Sequence, residues 1–287
     1  MIITRTPFRI SFAGGGTDLR VFYSQEPGKV ISSSINKYIY VVIKRQIGIV
    51  EYKYRINWSK VEFTNKLEDI EHPIVREALI FFNIDFPIEI TTFSDIPGQT
   101  GLGSSSAFAV GLVHALHALK GKMVTKHTIA TEAAHLEVDV LGRAMGKQDH
   151  FASAYGNLNV FTFTSDEVVS VEPVLYDAET KKHIQSNLML FYLKSKRDAS
   201  KILESQQRET QNKLNELRSI KNLVDPLREI FSTGVNVNNF GKILDKGWKI
   251  KSQLTDDISS KAIDSHYKKA KKYGAIGGKL LGAGGGG

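Results

Sequence analysis

Four stretches of this chain carry side chains fit for handling phosphate. One is Pro97-Gly98-Gln99-Thr100-Gly101-Leu102-Gly103-Ser104-Ser105-Ser106, which opens directly into the apolar run Ala107–Leu119. A glycine loop entering a helix leaves about four amide N–H groups without helical partners, beside the positive end of the helix dipole. Glycine lets the main chain approach a ligand, and a serine hydroxyl can cap the helix or reach a metal. Phosphate is the natural guest of such a junction. A second stretch, Arg9-Ile10-Ser11-Phe12-Ala13-Gly14-Gly15-Gly16-Thr17-Asp18, ends a strand-like run in three glycines, a hydroxyl and a carboxylate. A third, Gly274-Ala275-Ile276-Gly277-Gly278-Lys279-Leu280-Leu281-Gly282-Ala283-Gly284-Gly285-Gly286-Gly287, closes the sequence.

The fourth stretch runs from Glu137 to Asp149 and places two acids on adjoining helical elements. Phosphoryl transfer needs one carboxylate to hold a metal and a group to orient or deprotonate the attacking hydroxyl. Each feature also has a plainer reading, since glycine clusters make turns and an aspartate at a helix start is most often a cap. No G-x-x-x-x-G-K-[ST] loop occurs. The literal G-x-G-x-x-G of Gly282, Gly284 and Gly287 follows a helix instead of joining strand to helix, so a dinucleotide reading fails on context. His114 and His117 lie three apart on an apolar helix with no third ligand and no H-E-x-x-H, so they read as helix packing.

The elements that must position these groups follow from residue patterns. Ile2–Arg5, Arg9–Phe12, Val30–Ile35, Tyr38–Ile43, Ile49–Tyr54 and Pro87–Thr92 are β-branched or aromatic runs that predict strands. Helices are expected over Pro73–Phe82, Ser105–Leu119, Thr125–Val140 and Gln148–Tyr155, followed by strands at Leu158–Thr164 and Val168–Val171. The polar stretch Tyr176–Asn187 reads as a domain boundary. Beyond it, a strand is expected at Leu188–Leu193, a long helix from Ala199 to Ile220 with a break near Pro226, and helices over Val237–Leu254 and Ser259–Tyr273. Glycine of the density seen at Gly284–Gly287 normally connects elements, so the natural chain is expected to continue into a strand past Gly287.

The chain has 287 residues, enough to bury a large core. Its 41% hydrophobic and 24% charged residues match a soluble globular protein. No apolar run approaches the ~20 residues of a membrane span. The start lacks a signal peptide's apolar core. With no cysteine, disulfides and thiolate metal sites are excluded, which suits a cytoplasmic protein. Residues 181–287 hold 21 Lys/Arg against 10 Asp/Glu, a charge of +11, leaving −3 for residues 1–180. Such a basic half fits solvated helix faces, a phosphorylated substrate or nucleic acid. No aromatic ribonucleoprotein signature, zinc spacing or heptad array supports nucleic acid.

The three glycine clusters in this order, with the G-K-Q-D of Gly146–Asp149, resemble the three motifs of the GHMP kinases, named for galactokinase, homoserine kinase, mevalonate kinase and phosphomevalonate kinase. Within that family, R-I-S-F-A-G-G-G-T-D, G-L-G-S-S-S, G-K-Q-D and G-G-K-L-L-G-A-G-G-G-G look most like the D-glycero-D-manno-heptose 7-phosphate kinases. The resemblance runs from Arg5 to Gly287. It implies an α+β, two-domain fold. Residues 1–180 would form a strand-rich N-terminal domain with helices, and residues 181–287 a helix-rich, ferredoxin-like C-terminal domain cut short at its end.

The resemblance also implies roles. Pro97, Gly98, Gly101, Leu102, Gly103, Ser104, Ser105 and Ser106 would surround the phosphates of ATP. Ser105 and Glu137 would hold Mg²⁺, a metal satisfied by hard oxygen ligands and water. Asp149 would be the catalytic base or orienting carboxylate, and Arg9 would stabilise the transferred phosphoryl or act on Asp149. Gly15, Gly16, Thr17 and Asp18 would contact the sugar, and the third cluster, with Gly284 and Gly285, would close over phosphates and substrate. The Tyr52–Trp58 region, with Trp58, is a candidate wall for adenine. The implied reaction phosphorylates the anomeric hydroxyl of heptose 7-phosphate in a cytoplasmic enzyme that binds neither nucleic acid nor membrane; a homodimer stays open. His150 departs from the branch, which usually carries glutamine there, and reads as packing. Alternatives are another GHMP kinase acting on fucose, galactose or unphosphorylated heptose, a silent nucleotide- or sugar-binding regulator, and a nucleic-acid module built on the basic half.

Overall fold

Two long neighbouring strands, β1 (Ile2–Ala13) and β2 (Gly28–Arg45), form the spine of the computed structural model, which describes residues 1–47, 49–194, 199–235 and 237–285. Each was expected as two shorter strands. Pro7 does not end β1, because the ladder shifts register between Pro7 and Arg9 and absorbs the missing donor. Asn36 and Lys37, which separate the two expected runs, do not turn β2: its pairing with β1 resumes at Tyr38 after the register shift. The strands β3 (Tyr54–Asn57), β4 (Val61–Thr64), β5 (Ile88–Ser94), β6 (Leu158–Phe163) and β7 (Val169–Pro173) complete one seven-stranded sheet. Its order is β4-β3-β5-β2-β6-β7, with β1 on β2, and all pairs are antiparallel except β3–β5. β4 was not anticipated, and β3 lies later than the expected Ile49–Tyr54.

The first helices are α1 (Arg20–Tyr23), α2 (Pro73–Phe81), α3 (Ser104–Leu119), α4 (Lys126–Ala134) and α5 (Gln148–Tyr155). The expected helix through Val140 is α only to Ala134; His135–Val140 form a wider π turn. The second half holds α6 (Ala178–Ser186), α7 (Ala199–Glu209), α8 (Leu214–Lys221), α9 (Val224–Thr233), α10 (Val237–Lys251) and α11 (Lys261–Lys272).

Several expectations for this half are corrected. The polar stretch Tyr176–Asn187 is mostly helix, since Asp177 caps α6 through Thr180 N–H at 2.6 Å and Ile184 is buried. Leu188–Leu193 forms no strand, because no ladder partner reaches it, and Met189, Leu190 and Phe191 stay exposed. The long helix breaks at the 3-10 turn Thr210–Lys213, where Thr210 Oγ1 bonds back to Gln206 O at 2.8 Å. Pro226 breaks nothing: it lies in the first turn of α9, where its missing N–H has no helical acceptor. Among the described residues no strand follows Pro173, so the second half is helical and shows no ferredoxin-like sheet. Gly286 and Gly287 lie outside the described residues.

One core joins the sheet to α2, α3 and the π turn through Phe8, Val41, Ile56, Leu79, Leu112 and Leu136. A second joins the two halves: Phe12, Ile31 and Val160 of the sheet meet Leu227, Phe231 and Phe240 of α9 and α10. Phe231 is 5.5 Å from Phe12 and 5.4 Å from Phe240, ring centre to ring centre. This aromatic knot fixes the helical half over the glycine end of β1. Replacing Phe231 by alanine is expected to cost about 3–5 kcal/mol of unfolding free energy. Urea titration checks this: the midpoint falls while the slope holds, and an unchanged midpoint would show that the halves are not coupled through this core.

Candidate active site

The register shift after Pro7 re-aims the β1 side chains, and Arg9 reaches across to the start of α5. Its guanidinium grips Asp149 with two bonds, Nε to Oδ1 at 2.7 Å and Nη2 to Oδ2 at 2.6 Å. The remaining arm, Nη1, donates to Gly101 O at 2.7 Å. Both side chains are largely buried, 5% and 16% exposed, so the fork is shielded from water. One arginine therefore ties β1, α5 and the glycine loop together across 140 positions.

The loop itself is built as an anion cradle. Gln99, Gly101 and Gly103 have positive φ (64°, 72° and 77°), alternating with ordinary residues, a pattern that turns successive amides to one side. Gly103 caps α3 without a side-chain bond, and the first intrahelical bond runs from Ala107 N–H to Gly103 O at 2.9 Å. Among the described residues the amides of Ser104–Ser106 have no backbone partner, so the dipole of a 16-residue helix ends in free donors. Ser106 Oγ and Thr100 Oγ1 are buried without partners. Pro97 and Gly98 are exposed at the loop's outer edge, and Leu102 is buried with its carbonyl accepting from Arg9 N–H at 3.2 Å. The third cluster docks here: a Cβ on Gly282 would lie 2.6 Å from Gly101 Cα, so only glycine allows this approach.

Glu137 sits in the π turn, fully buried. Ser105 Oγ donates to its Oε1, and His150 Nε2 meets Oε2 at 2.9 Å. Arg143 Nη1 donates to both Ser105 Oγ, at 2.7 Å, and Glu137 Oε1, so a cation already contacts both this hydroxyl and this carboxylate. Burial works to raise the Glu137 carboxyl, but His150, Ser105 and Arg143 outweigh it and hold it below the usual range. His150 is fully buried and is a carboxylate partner, more than the packing residue expected of it. Among the described residues no trio of His, Asp or Glu is placed to bind a metal. A divalent ion here would rely on one carboxylate, one hydroxyl and the ligand's own oxygens.

A cleft of about 840 Å³, counted to its open mouth, lies on the other side of Arg9 and Asp149. Gly15, Gly16, Asp18, Gly146, Gln148 and Gly282 line it. Asp18 accepts from Gly16 N–H at 3.0 Å, Gln148 N–H at 3.2 Å and Gln148 Nε2 at 2.9 Å. Burial pushes its pKa up, reinforced by the nearby charge of Asp149. Thr17 is fully buried, and its hydroxyl donates to Gly14 O and accepts from Lys29 N–H, so it shapes the turn instead of facing the cleft. Gly284 and Gly285 are likewise not brought to the cleft: Gly285 N–H bonds to Ile258 O at 2.9 Å, and Gly282 with Ala283 supplies the lining. His114 is exposed, and buried His117 pairs with Glu132. Trp58 stacks edge-on with His72 at 4.8 Å, and His72 with Phe108 of α3 at 4.9 Å, so the Trp58 region flanks the cradle's helix.

Sequence reasoning missed Arg143, Gln148, Lys251, Lys279 and Glu167. Glu167, from the β6–β7 turn, binds Arg20 at 2.8 Å, Tyr23 OH at 2.9 Å and Lys147, the residue before α5. No local signal marks it, since its partners lie 20 to 147 positions away.

A loop of free amides and a cleft, with a carboxylate in an arginine fork between them, is an arrangement suited to phosphoryl transfer. The chain matches the family model described as GHMP kinases N terminal domain over residues 73–157. It is 27% identical to the D-glycero-alpha-D-manno-heptose 7-phosphate kinase of Campylobacter jejuni, over all of this chain and 87% of that one. Among solved structures, a D-glycero-D-manno-heptose 1-phosphate kinase from Bacteroides thetaiotaomicron superposes with a TM-score of 0.80 at 22% identity, covering 99% of this chain and 86% of that one. Streptococcus pneumoniae phosphomevalonate kinase, in complex with phosphomevalonate and AMPPNP, gives 0.76 at 18% identity over 100% and 90%. The chain carries a GHMP kinase N-terminal domain over residues 73–157, and its relatives and fold are those of ATP-dependent small-molecule kinases. Among the described residues no helix is long and apolar enough to cross a membrane.

The Glu167 cluster yields a pH prediction. Burial opposes ionisation of Glu167, but Lys147, Arg20 and Tyr23 prevail and hold its pKa down at about 2, below an unfolded value near 4.5. A depressed carboxylate stabilises the fold above the unfolded pKa, and that contribution is lost as pH falls through the folded one. Glu167→Gln is therefore expected to lower thermal stability at pH 7, by about 1 kcal/mol or less because the group is partly exposed and screened. The gap to wild type should close between pH 4.5 and 2. Thermal melts over that range check it, and a gap independent of pH would contradict it.

Proposed function

We propose that this kinase transfers the γ-phosphoryl group of ATP to the anomeric hydroxyl of D-glycero-D-manno-heptose 7-phosphate, giving the 1,7-bisphosphate, with Mg²⁺ as cofactor. The observation that carries the chemistry is the Arg9–Asp149 fork, joined to Gly101 O, between cradle and cleft. The choice of sugar is supported by the full-length likeness to a heptose 7-phosphate kinase. Residues 1–180 would act as the domain holding the cradle and the carboxylates, and residues 181–287 as the domain closing the cleft.

Under this reading the amides of Gly101–Ser106 receive the nucleotide phosphates, and the Trp58–His72–Phe108 edge offers a wall for adenine. Asp149, held in one orientation by Arg9, takes the proton of the attacking hydroxyl. Arg9 lies where it can offset charge on the transferred group as well. Asp18, with Gln148, Gly15 and Gly16, holds sugar hydroxyls. Ser105 and Glu137 would hold Mg²⁺, a reading supported by the Arg143 cation that both already contact. When bound, the metal would offset the phosphate charge.

Asp149→Asn should leave AMPPNP affinity within about threefold while lowering turnover by at least ~10²-fold, the scale of a lost general base. A coupled ADP assay over heptose 7-phosphate, unphosphorylated heptose, fucose and galactose tests the acceptor. Turnover confined to fucose or galactose would replace the proposed sugar, and wild-type turnover in the variant would remove Asp149 from the chemistry. Arg143 gives a separate readout. Removing a unit charge a few ångströms from the metal position is worth about 1 kcal/mol in water, a factor of roughly five. Arg143→Gln should therefore bind Mn²⁺ about fivefold more tightly without nucleotide, by electron spin resonance. Unchanged or weaker binding would mean that Arg143 does not compete with the ion.

A further inference from the structure

The cleft beside Asp149 holds more positive charge than its own carboxylates use. Arg9 is spent on Asp149, and Asp18 is held by the neutral donors of Gly16 and Gln148. Two further cations line the same cleft: Lys251, the last residue of α10, and Lys279, from the third glycine cluster. Lys251 Nζ donates to Leu280 O at 3.3 Å and to Gly282 O at 2.5 Å, and Lys279 Nζ to Phe12 O at 3.2 Å. Among the described residues neither pairs with a carboxylate, although nearby Lys249 and Lys271 both find Asp245. Ammonium groups withdrawn from water are ordinarily paired with anions. Burial, and then the charge of Arg9, push Lys251 down to about 8 against the opposing pull of Asp149 and Asp18, and burial with the charges of Lys251 and Arg9 pushes Lys279 below the usual lysine range.

With two carbonyl contacts at Lys251 and one at Lys279, each ammonium keeps at least one N–H for a ligand. None of Pro97–Ser106 lines this cleft, so the lysines face the acceptor side of the Arg9–Asp149 fork. Asp18, Gln148 and Gln206 share the lining, a set of neutral and acidic groups suited to hydroxyls, which leaves the lysines as the match for an anion. We propose that Lys251 and Lys279 form a subsite for a phosphate group already carried by the acceptor, and thereby set the preference for a phosphorylated sugar. The proposal rests on the acceptor-cleft reading above and identifies which residues would select the substrate class.

The test is calorimetric binding, without nucleotide, of heptose 7-phosphate and of the same heptose without phosphate, to wild type, Lys251→Met and Lys279→Met. Methionine keeps the stem and removes the charge. AMPPNP binding serves as the check that each variant is folded and that its third cluster remains docked. Expected are at least tenfold tighter binding of the phosphorylated sugar by wild type and at least a tenfold loss of that affinity in both variants. Affinity for the unphosphorylated sugar and for AMPPNP should stay within twofold. Equal losses for both sugars, or a loss of AMPPNP affinity in both variants, would overturn the proposal and make the lysines backbone tethers or contacts of the transferred phosphoryl. Failure of the substrate reading looks different: wild type would then turn over only an unphosphorylated sugar in the ADP assay. An enzyme that phosphorylates heptose 7-phosphate while both variants retain its affinity would reject the subsite alone.

Discussion

Arg9 has one guanidinium and three commitments, two to Asp149 and one to Gly101 O. A planar fork matches a carboxylate in one geometry, so the distance and angle between Asp149, the strand and the glycine loop are set together. The elements around it are arranged to make that fork possible. The register shift after Pro7 aims the side chain, and glycine at 101 and 282 lets the third cluster lie against the cradle. A core of Phe12, Phe231 and Phe240 keeps the helical half seated above. Removing one partner of so buried a pair strands a charge, which is costly.

The site has two electrostatic sides. On the loop side, the α3 N-terminus presents the positive end of its dipole, and Glu137 and Ser105 are both bonded to the Arg143 cation. On the cleft side the fork is neutral, and the excess cations are lysines. Arg9 touches both sides, through Asp149 and through Gly101 O. The π turn at His135–Val140 belongs to this design: widening the helix there presents Glu137 to Ser105 of the neighbouring helix while His150 closes over it.

Much of this was legible in the residues. The cradle announced itself because glycine and serine before an apolar helix have few other uses, and Arg9, Asp18, Glu137 and Asp149 stood beside motifs that fixed their place. What was hidden was hidden for physical reasons. Lys251 and Lys279 carried no individual signal, because burial of a lysine depends on what folds over it, here the end of β1 and the third cluster. Arg143 and Glu167 act through partners that only the fold brings near. Strand limits failed where local turn signals were overridden by ladder bonds, as at Asn36–Lys37, and helix limits where a side chain competed for the backbone, as at Thr210. Thr17 and Gly284–Gly285 sit within the right motifs but are consumed by the turns that shape the site.

The central claim is that Arg9 and Asp149 act as one unit. A double-mutant cycle on single-turnover phosphoryl transfer, using Arg9→Met, Asp149→Asn and the pair, measures it directly. If the fork is the unit of chemistry, the double variant is no slower than the slower single variant, because either change alone already dismantles it. Losses that simply multiply would show two independent contributions and contradict the account.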